Sequence, residues 1–306
     1  MADPTPKPSP SKATVFVRRT ASTLLLWAVV AGIFISMQAW AYMLLIGVLV
    51  IISLIEYFRM LKAAEIKAFP IFGIILCVAY CAAISRHFIR GGNIVPPVYD
   101  SAAIFIAIAG AFTLQLSRPI HGKEPIISVA ANVLGFIYIP FLFSFAARIV
   151  FLPDHAGVPA GRVTDTGAFL LLWLIAVTKF TDMGAYITGS AIGRHKMIPH
   201  VSPGKTWEGF FGALAFSQLA GCGLYALFPI QLAIFGNWGH VIALGFLLAI
   251  LAVIGDLAES IVKRSLGAKD SGNMLPGIGG GLDLIDSICF TAPALYLYLK
   301  WFLIPA

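Results

Sequence analysis

Apolar runs of about 20 residues recur along almost the whole chain and decide what it can fold into. A hydrocarbon core about 30 Å thick needs about 20 apolar residues in a helix. Only 11% of the residues are charged and the mean hydropathy is +0.90, whereas a soluble domain carries about 25% charged residues. We therefore predict an all-α integral membrane protein with about nine transmembrane helices. The predicted spans lie near residues 21–37, 40–58, 69–85, 100–117, 126–150, 167–191, 209–228, 240–262 and 285–303.

The distribution of Lys and Arg predicts the orientation of these helices. Alternate loops share one side of a bilayer, and cytoplasmic loops are enriched in Lys and Arg. The N-terminus and the loops after the even-numbered spans carry fifteen of these residues, the other side carries five, and Lys179 lies within a span. We therefore expect the N-terminus in the cytoplasm and the C-terminus outside. The net charge of +7 is divided among these short loops, which argues against a nucleic-acid partner.

The chain divides into three predicted regions. Residues 1–20 are rich in proline and polar side chains and should form a disordered cytoplasmic tail. Residues 21–160 should form N-terminal transmembrane helices with a structural, lipid-facing role. Residues 161–306 hold most of the unusual polar groups and should form a catalytic transmembrane region. An uncleaved first span without transit-peptide character favours a bacterial inner membrane.

Two charges lie inside the sixth predicted span. Lys179 and Asp182 are three residues apart and share one helical face. A charge at membrane depth is costly, so such residues face a bundle interior or a water-filled cavity. A structural ion pair and a role in a functional site both fit this pattern.

The loop at 194–210 combines basic residues, hydroxyls and a Pro-Gly turn. Ser202, Lys205 and Thr206 precede the next predicted helix, where free backbone N–H groups suit a phosphate. An ordinary basic cytoplasmic loop is the alternative. His195 and His200 have no third ligand at a zinc-like spacing.

The densest group of charges lies between residues 256 and 286. Asp256, Glu259, Ser260 and Lys263 form one stripe at the end of the eighth span. A segment rich in Gly and Pro follows, and Asp283 and Asp286 then begin the ninth span on one face. Carboxylates from two helix ends suit Mg²⁺, and Lys and Arg suit phosphate oxygens. These residues predict a metal-assisted phosphate site on the cytoplasmic side, with a salt-bridged loop network as the alternative.

The same residues resemble a known family signature. Ser260-x-x-Lys263-Arg264, Lys269-Asp270, Leu275-Pro276-Gly277-x-Gly279-Gly280 and Asp283-x-x-Asp286 are similar to the phosphatidate cytidylyltransferases, also called CDP-diacylglycerol synthases. Ser202-Pro203-x-Lys205-Thr206-Trp207-Glu208-Gly209 and Asp182-x-Gly184-Ala185-Tyr186 match the same family. The matches cover roughly residues 180–290. In two places the chain departs from the pattern, with Ile278 in place of a His and Leu284 in place of an Arg.

The resemblance implies a reaction between CTP and phosphatidate in the membrane that gives CDP-diacylglycerol and pyrophosphate. It also implies Mg²⁺, leaves a second cation such as K⁺ open, and suggests a homodimer. The predicted catalytic residues are Asp256, Ser260, Lys263 and Asp283. The predicted metal ligands are Asp256, Asp283 and Asp286. The predicted substrate-binding residues are Asp182, Ser202, Lys205, Thr206, Arg264, Lys269 and Asp270.

Other classes of protein fit parts of this pattern. A transporter or channel could use Lys179, Asp182, Asp256 and Asp283 as an ion path through the bundle. A CDP-alcohol phosphotransferase would carry an Asp-Gly-x-x-Ala-Arg string, which is absent from the sequence. A scaffold descended from the enzyme family is suggested only by Ile278 and Leu284. Release of pyrophosphate from CTP distinguishes the enzyme from the transporter and from the scaffold.

Overall fold

The computed structural model describes residues 28–153, 158–159, 161–272 and 279–304, and helices dominate it. In chain order they are α1 (28–36), α2 (Ala39–Ala63), α3 (Pro70–Ile89), α4 (Pro97–Gln115), α5 (Glu124–Phe151), α6 (Asp165–Ile192), α7 (Trp207–Leu227), α8 (Trp238–Ser265) and α9 (Gly281–Leu303). Eight of these described helices, α2 to α9, are long and apolar enough to cross a membrane. The predicted all-α integral membrane fold is therefore confirmed.

Some predicted segments lie outside the described residues. They are the tail at 1–20, the beginning of the first span at 21–27, and the part of the glycine-rich segment at 273–278 that includes Ile278. The ninth span begins four residues earlier than predicted, at Gly281. Asp283 therefore lies within the first turn of α9. The side of the membrane on which each terminus lies stays a prediction.

A short hairpin connects α6 to α7. Strands β1 (Lys196–Ile198) and β2 (Ser202–Thr206) are antiparallel, with Lys196 opposite Thr206. Thr206 is also the N-cap of α7, because its Oγ1 accepts the N–H of Gly209 at 3.1 Å. A side-chain acceptor at this position satisfies one of the free N–H groups of the first turn. The hairpin and α7 therefore form one continuous unit, where the sequence indicated only a loop.

Helices α6 and α7 pack closely through glycines. A Cβ atom added to Gly184 would lie 2.6 Å from the carbonyl oxygen of Gly212 and 2.6 Å from Cβ of Phe216. Small residues allow transmembrane backbones to approach in this way, since apolar side chains gain little by leaving lipid. This contact holds the second half of α6 against the beginning of α7.

Gly184→Ala is expected to lower the thermal unfolding midpoint in detergent. The new methyl group would overlap the carbonyl oxygen of Gly212 and the side chain of Phe216, and overpacking of this kind costs about 1–3 kcal/mol. Gly223→Ala on α7 is the matched control, because an added Cβ there meets no described atom within 4 Å. The Gly223→Ala control should have the same midpoint as the wild type or a higher one, since Ala stabilises a helix by about 1 kcal/mol relative to Gly. Equal midpoints for the two variants would contradict the packing role.

One of the five basic residues that the charge count assigned to the non-cytoplasmic side is buried. Arg148 in α5 is 5% exposed. Its guanidinium donates to both carboxylate oxygens of Asp100, at 2.9 and 2.6 Å, and to the hydroxyl of Tyr80 at 3.0 Å. A bidentate pair satisfies charges that lipid cannot. Arg148 therefore links α3, α4 and α5 rather than belonging to a loop.

The hydrophobic core runs through both halves of the chain. Helix α9 packs against α8, α5 and α2, and one cluster contains Leu54, Leu174 and Ile285. The beginning of α9 is thus held by helices from before and after residue 160. This matters for the site, since α9 supplies two of its carboxylates.

Candidate active site

A cavity of about 570 Å³ lies between the hairpin and the adjoining ends of four helices. It is lined by residues from the second half of α6, the beginning of α7, the second half of α8 and the beginning of α9. Four carboxylates face it, one from α6, one from α8 and two from α9. They are Asp182, Asp256, Asp283 and Asp286. Consecutive membrane helices run in opposite directions. The second halves of α6 and α8 therefore lie at the same end of the bundle as the beginnings of α7 and α9.

Seven of the predicted site residues line this cavity together. They are Asp182, Ser202, Lys205, Thr206, Asp256, Asp283 and Asp286. Asp256 and Asp283, which the sequence placed at two adjoining helix ends, thus share one cavity. Tyr186 and Phe210 add aromatic surface beside them.

Five other predicted residues do not line the described part of the cavity. Lys263 lies in the protein beside it, and Ser260 lies in α8 without facing it. Arg264, Lys269 and Asp270 are exposed. Arg264 donates to the carbonyl of Ala268 at 3.2 Å. The catalytic roles predicted for Ser260 and Lys263 stay predictions. So do the substrate-binding roles predicted for Arg264, Lys269 and Asp270.

Three carboxylates meet at the edge of the cavity, where Asp256 and Asp286 line it and Glu259 is buried beside them. Oxygens of Asp256, Glu259 and Asp286 all lie within 4.8 Å of one another. Glu259 is 1% exposed and Asp286 is 4% exposed. Within the described ranges, Oε1 of Glu259 has no hydrogen-bond partner. A buried carboxylate oxygen without a partner is costly unless a cation or a donor satisfies it.

Asp283 has a different environment from these three carboxylates. Its Oδ1 accepts from Nζ of Lys263 at 2.8 Å. Its Oδ2 accepts from Oγ of Ser271 at 2.8 Å and from the backbone N–H of Gly280 at 3.0 Å. The last bond is the N3-to-N-cap contact of a capped helix. Both oxygens of this predicted metal ligand are thus already bonded, whereas Glu259, absent from the predicted ligands, has an oxygen free of described donors.

Three lysines pair with carboxylates in or beside the cavity. Nζ of Lys263 lies 2.6 Å from Glu259 and 2.8 Å from Asp283, and so joins α8 to the first turn of α9. Lys205 from the hairpin forms an ion pair with Asp256. On α6, Nζ of Lys179 lies 3.5 Å from Asp182. The two residues that the sequence placed on one face therefore form a loose pair, and Asp182 also faces the cavity.

Three residues of this region were missed by the sequence analysis. Glu56 in α2 accepts the backbone N–H of Leu282 at 3.1 Å. Ser271 binds Asp283, as described above. Tyr138 lies in a π-helical turn of α5, is 5% exposed, and packs edge-on against Phe290 of α9 with the ring centroids 6.3 Å apart. An acidic residue within an apolar span was a usable signal for Glu56, whereas nothing in the sequence distinguished Tyr138.

Only one of the two departures from the family pattern, Leu284, lies within the described residues. Ile278 lies outside the described residues. Leu284 is partly buried, packs against the hydrophobic core, and does not line the described cavity. An apolar side chain at position 284 thus faces protein in this fold.

Comparison with known proteins decides the family. A model described as the Cytidylyltransferase family matches residues 17–302. The chain belongs to the cytidylyltransferase family. The predicted family resemblance and the enzyme class, a nucleotidyltransferase, are therefore confirmed.

Curated relatives of this family member include proteins from several bacteria. It is 45% identical over 132 residues to a phosphatidate cytidylyltransferase from Brucella suis, covering 43% of this chain and 47% of that one. It is 34% identical over 191 residues to one from Mycobacterium bovis, covering 60% and 56%. It is also 33% identical over 233 residues to the protein YnbB of Escherichia coli, covering 72% and 74%. The chain spans about half the length of the phosphatidate cytidylyltransferases it matches.

Proposed function

We propose that this cytidylyltransferase-family member transfers the cytidylyl group of CTP to phosphatidate, giving CDP-diacylglycerol and pyrophosphate. The observation that carries the proposal is a cavity at the end of a transmembrane bundle where carboxylates, a lysine and hydroxyls converge. Relatives named phosphatidate cytidylyltransferase support the choice of CTP and phosphatidate. A cavity between membrane helices suits a reaction in which one substrate is a lipid and the other is soluble.

The balance of charge supports a cation as part of this site. Asp182, Asp256, Glu259, Asp283 and Asp286 lie in or beside the cavity. Three lysines accompany them, namely Lys179, Lys205 and Lys263. Because the carboxylates outnumber the lysines, the site would repel a triphosphate unless a bound cation offset the negative charge.

The donor set fits Mg²⁺, which prefers carboxylate oxygens together with substrate phosphates. Asp256, Glu259 and Asp286 would hold it, because their oxygens converge and one oxygen of Glu259 has no partner in the described structure. Asp283 would support them through Lys263. A bound divalent ion would neutralise phosphate charge and polarise the α-phosphate of CTP. A second cation such as K⁺ is not part of the proposal.

The proposed chemistry needs little help from a general base. The phosphate-monoester oxygen of phosphatidate, already anionic at neutral pH, forms a bond to the α-phosphorus of CTP. The bond from that phosphorus to the bridging oxygen of the β-phosphate breaks, and pyrophosphate leaves with the electron pair. The protein's task is to position two anions in line and to offset their repulsion.

The cavity residues have distinct proposed roles in this reaction. Lys205, on the hairpin, binds phosphate oxygens by moving from Asp256 to the triphosphate. Ser202 donates a hydrogen bond beside it, while Thr206 fixes the beginning of α7. Lys263 stays between Glu259 and Asp283 and positions both carboxylates. Tyr186 and Phe210 give apolar surface to the lipid.

The location and assembly of the protein complete the proposal. The side rich in Lys and Arg carries the hairpin and the site, so the reaction takes place at the cytoplasmic face of a bacterial inner membrane, where CTP is found. A homodimer is part of the proposal on the family resemblance alone.

Pyrophosphate release by the purified protein in detergent tests the function. CTP, dCTP and ATP are compared side by side, each with phosphatidate and Mg²⁺, and with EDTA as the control. We expect release with CTP and phosphatidate together, and none after chelation. Absence of release under all conditions, from protein that remains monodisperse, would refute the proposed activity. A transporter or channel would release none.

Glu259→Gln is expected to raise the Mg²⁺ concentration that gives half-maximal rate. The amide keeps the size of the side chain but removes the charge from the carboxylate cluster. Residues that support a metal typically change its affinity by about 10–100-fold when replaced, and we expect a shift of at least that order. Glu65→Gln is the control, because Glu65 lies in the turn after α2 and does not line the described cavity. An unchanged Mg²⁺ requirement for Glu259→Gln would remove this residue from the metal site.

A further inference from the structure

A carboxylate from the N-terminal half of the chain reaches the beginning of α9. Glu56 lies in α2 and is 1% exposed. Its Oε2 accepts the backbone N–H of Leu282 at 3.1 Å. Leu282 immediately precedes Asp283, and Asp286 lies one turn further along the same helix. Glu56 does not line the described cavity, so any effect it has on the reaction must pass through α9.

Two glycines, one on each side of residues 273–278, lie close to this carboxylate. A Cβ atom on Gly272 would lie 2.5 Å from Oε1 of Glu56. A Cβ atom on Gly280 would lie 2.9 Å from Oε2 of Glu56 and 2.9 Å from Oδ2 of Asp283. Glycines at both positions therefore allow the chain to pass this close. Glu56 and Asp283 are held against the same short segment of backbone.

The energetics argue that this carboxylate has more than a packing role. The first N–H groups of a helix lack partners within the helix, and an acidic group there is stabilising. Yet Glu56 is buried in a membrane-spanning helix, and among the described residues its Oε1 has no hydrogen-bond partner. An apolar side chain would fill the same space without this desolvation cost.

We propose that Glu56 is a positioning residue for the active site, fixing the first turn of α9 so that Asp283 and Asp286 face α8. The hydrogen bond from Leu282 to Glu56 sets the position of that turn along the helix axis and its rotation about that axis. Lys263 and Ser271 can then hold Asp283, and Asp286 can meet Asp256 and Glu259. This inference adds a positioning residue to the proposed active site. Wherever turnover is measured, it rests on the proposed function. It also gives the region predicted to be structural a part in positioning the site.

The turnover experiment compares Glu56→Ala with Glu56→Gln. Alanine removes the acceptor, whereas glutamine keeps an oxygen that can accept the Leu282 N–H. A misplacement of 1 Å at reacting groups can cost about 10²-fold in rate. We expect Glu56→Ala to lower kcat by about tenfold or more while the KM for CTP changes by less than about threefold, and Glu56→Gln to stay within about threefold of the wild type.

Tyr57→Phe is the matched control. Tyr57 is the next residue of α2, is 2% exposed, and donates one buried hydrogen bond to the carbonyl of Ala131 at 2.9 Å. Its loss removes a buried interhelical bond of α2 without touching α9. If Glu56→Ala cannot be purified in folded form, Glu56→Asp replaces it, because a side chain one methylene shorter withdraws the acceptor from Leu282.

Amide hydrogen exchange tests the inference independently of any activity. In Glu56→Ala the segment at 281–286 should exchange about tenfold faster or more, as a locally opened helix end does. It should exchange as in the wild type in Glu56→Gln and in Tyr57→Phe. Wild-type exchange in Glu56→Ala, equal kcat losses in Glu56→Ala and Tyr57→Phe, or equal damage by Gln and Ala would each overturn the proposal. If the wild type itself shows no turnover, the proposed function fails, and the exchange result alone decides the role of Glu56.

Discussion

Asp256→Asn is expected to lower CTP- and phosphatidate-dependent pyrophosphate release by on the order of 10³-fold, because a metal site supplies several kcal/mol and each 1.4 kcal/mol is tenfold. Asp256 has two roles that need its charge. Its oxygens join Glu259 and Asp286 at the carboxylate cluster, and it pairs with Lys205 of the hairpin. Asparagine has nearly the same shape, so the protein should still fold.

The control for this prediction is the same substitution at another carboxylate. Asp165 is exposed in the first turn of α6, at the end of that helix away from the cavity. Asp165→Asn should keep nearly all of the wild-type rate. The measurement is the initial rate at saturating CTP and Mg²⁺, on protein that elutes as a single species. An Asp256→Asn variant that keeps more than about a tenth of the wild-type rate would contradict the proposed metal site.

Lys263→Met is expected to abolish activity and to destabilise the protein as well. Lys263 lies between Glu259 and Asp283 at 2.6 and 2.8 Å, and its side chain is 13% exposed. Removing one partner of a buried ion pair leaves uncompensated charge and typically costs about 3–5 kcal/mol. Here two carboxylates lose their partner at once, and the first turn of α9 loses its link to α8.

The thermal unfolding midpoint in detergent measures the second effect. Lys62→Met is the control, since Lys62 is exposed in the last turn of α2, and exposed substitutions usually change stability by about 0.5 kcal/mol or less. A Lys263→Met variant with the control's midpoint and normal turnover would show that the carboxylates do not depend on this lysine. A large loss of turnover with the midpoint unchanged would instead favour direct contact between Lys263 and a phosphate.

Much of the architecture was predictable because lipid imposes simple rules. A backbone in a bilayer must satisfy its own hydrogen bonds, so each apolar run of sufficient length becomes a helix. The second to ninth predicted spans therefore correspond to α2–α9 within a few residues at most ends, and α1 covers the described part of the first. The short hairpin at 196–206 was not predicted, because its strands of three and five residues carry no alternation that periodicity could detect.

The site was predictable in part, for a related reason. Charges are costly among apolar residues, so Asp182, Asp256, Asp283 and Asp286 were conspicuous, and the structure places all four on one cavity. Lys205 and the hydroxyls beside it followed from the Pro-Gly turn and the start of a helix. The family signature pointed to the same residues.

The membrane fold, the family and the charges gathered at one end of the bundle could all be predicted from the amino-acid sequence. They follow from composition, span length and local spacing, all of which are properties of neighbouring residues. Which charges pair became visible in the folded structure. It placed Glu259 with Asp256 and Asp286, bonded Asp283 to Lys263 and Ser271, and brought Glu56 to Leu282 across a separation of 226 residues. Such pairings depend on how α2, α8 and α9 pack, and packing between distant segments leaves no periodic signal in the chain.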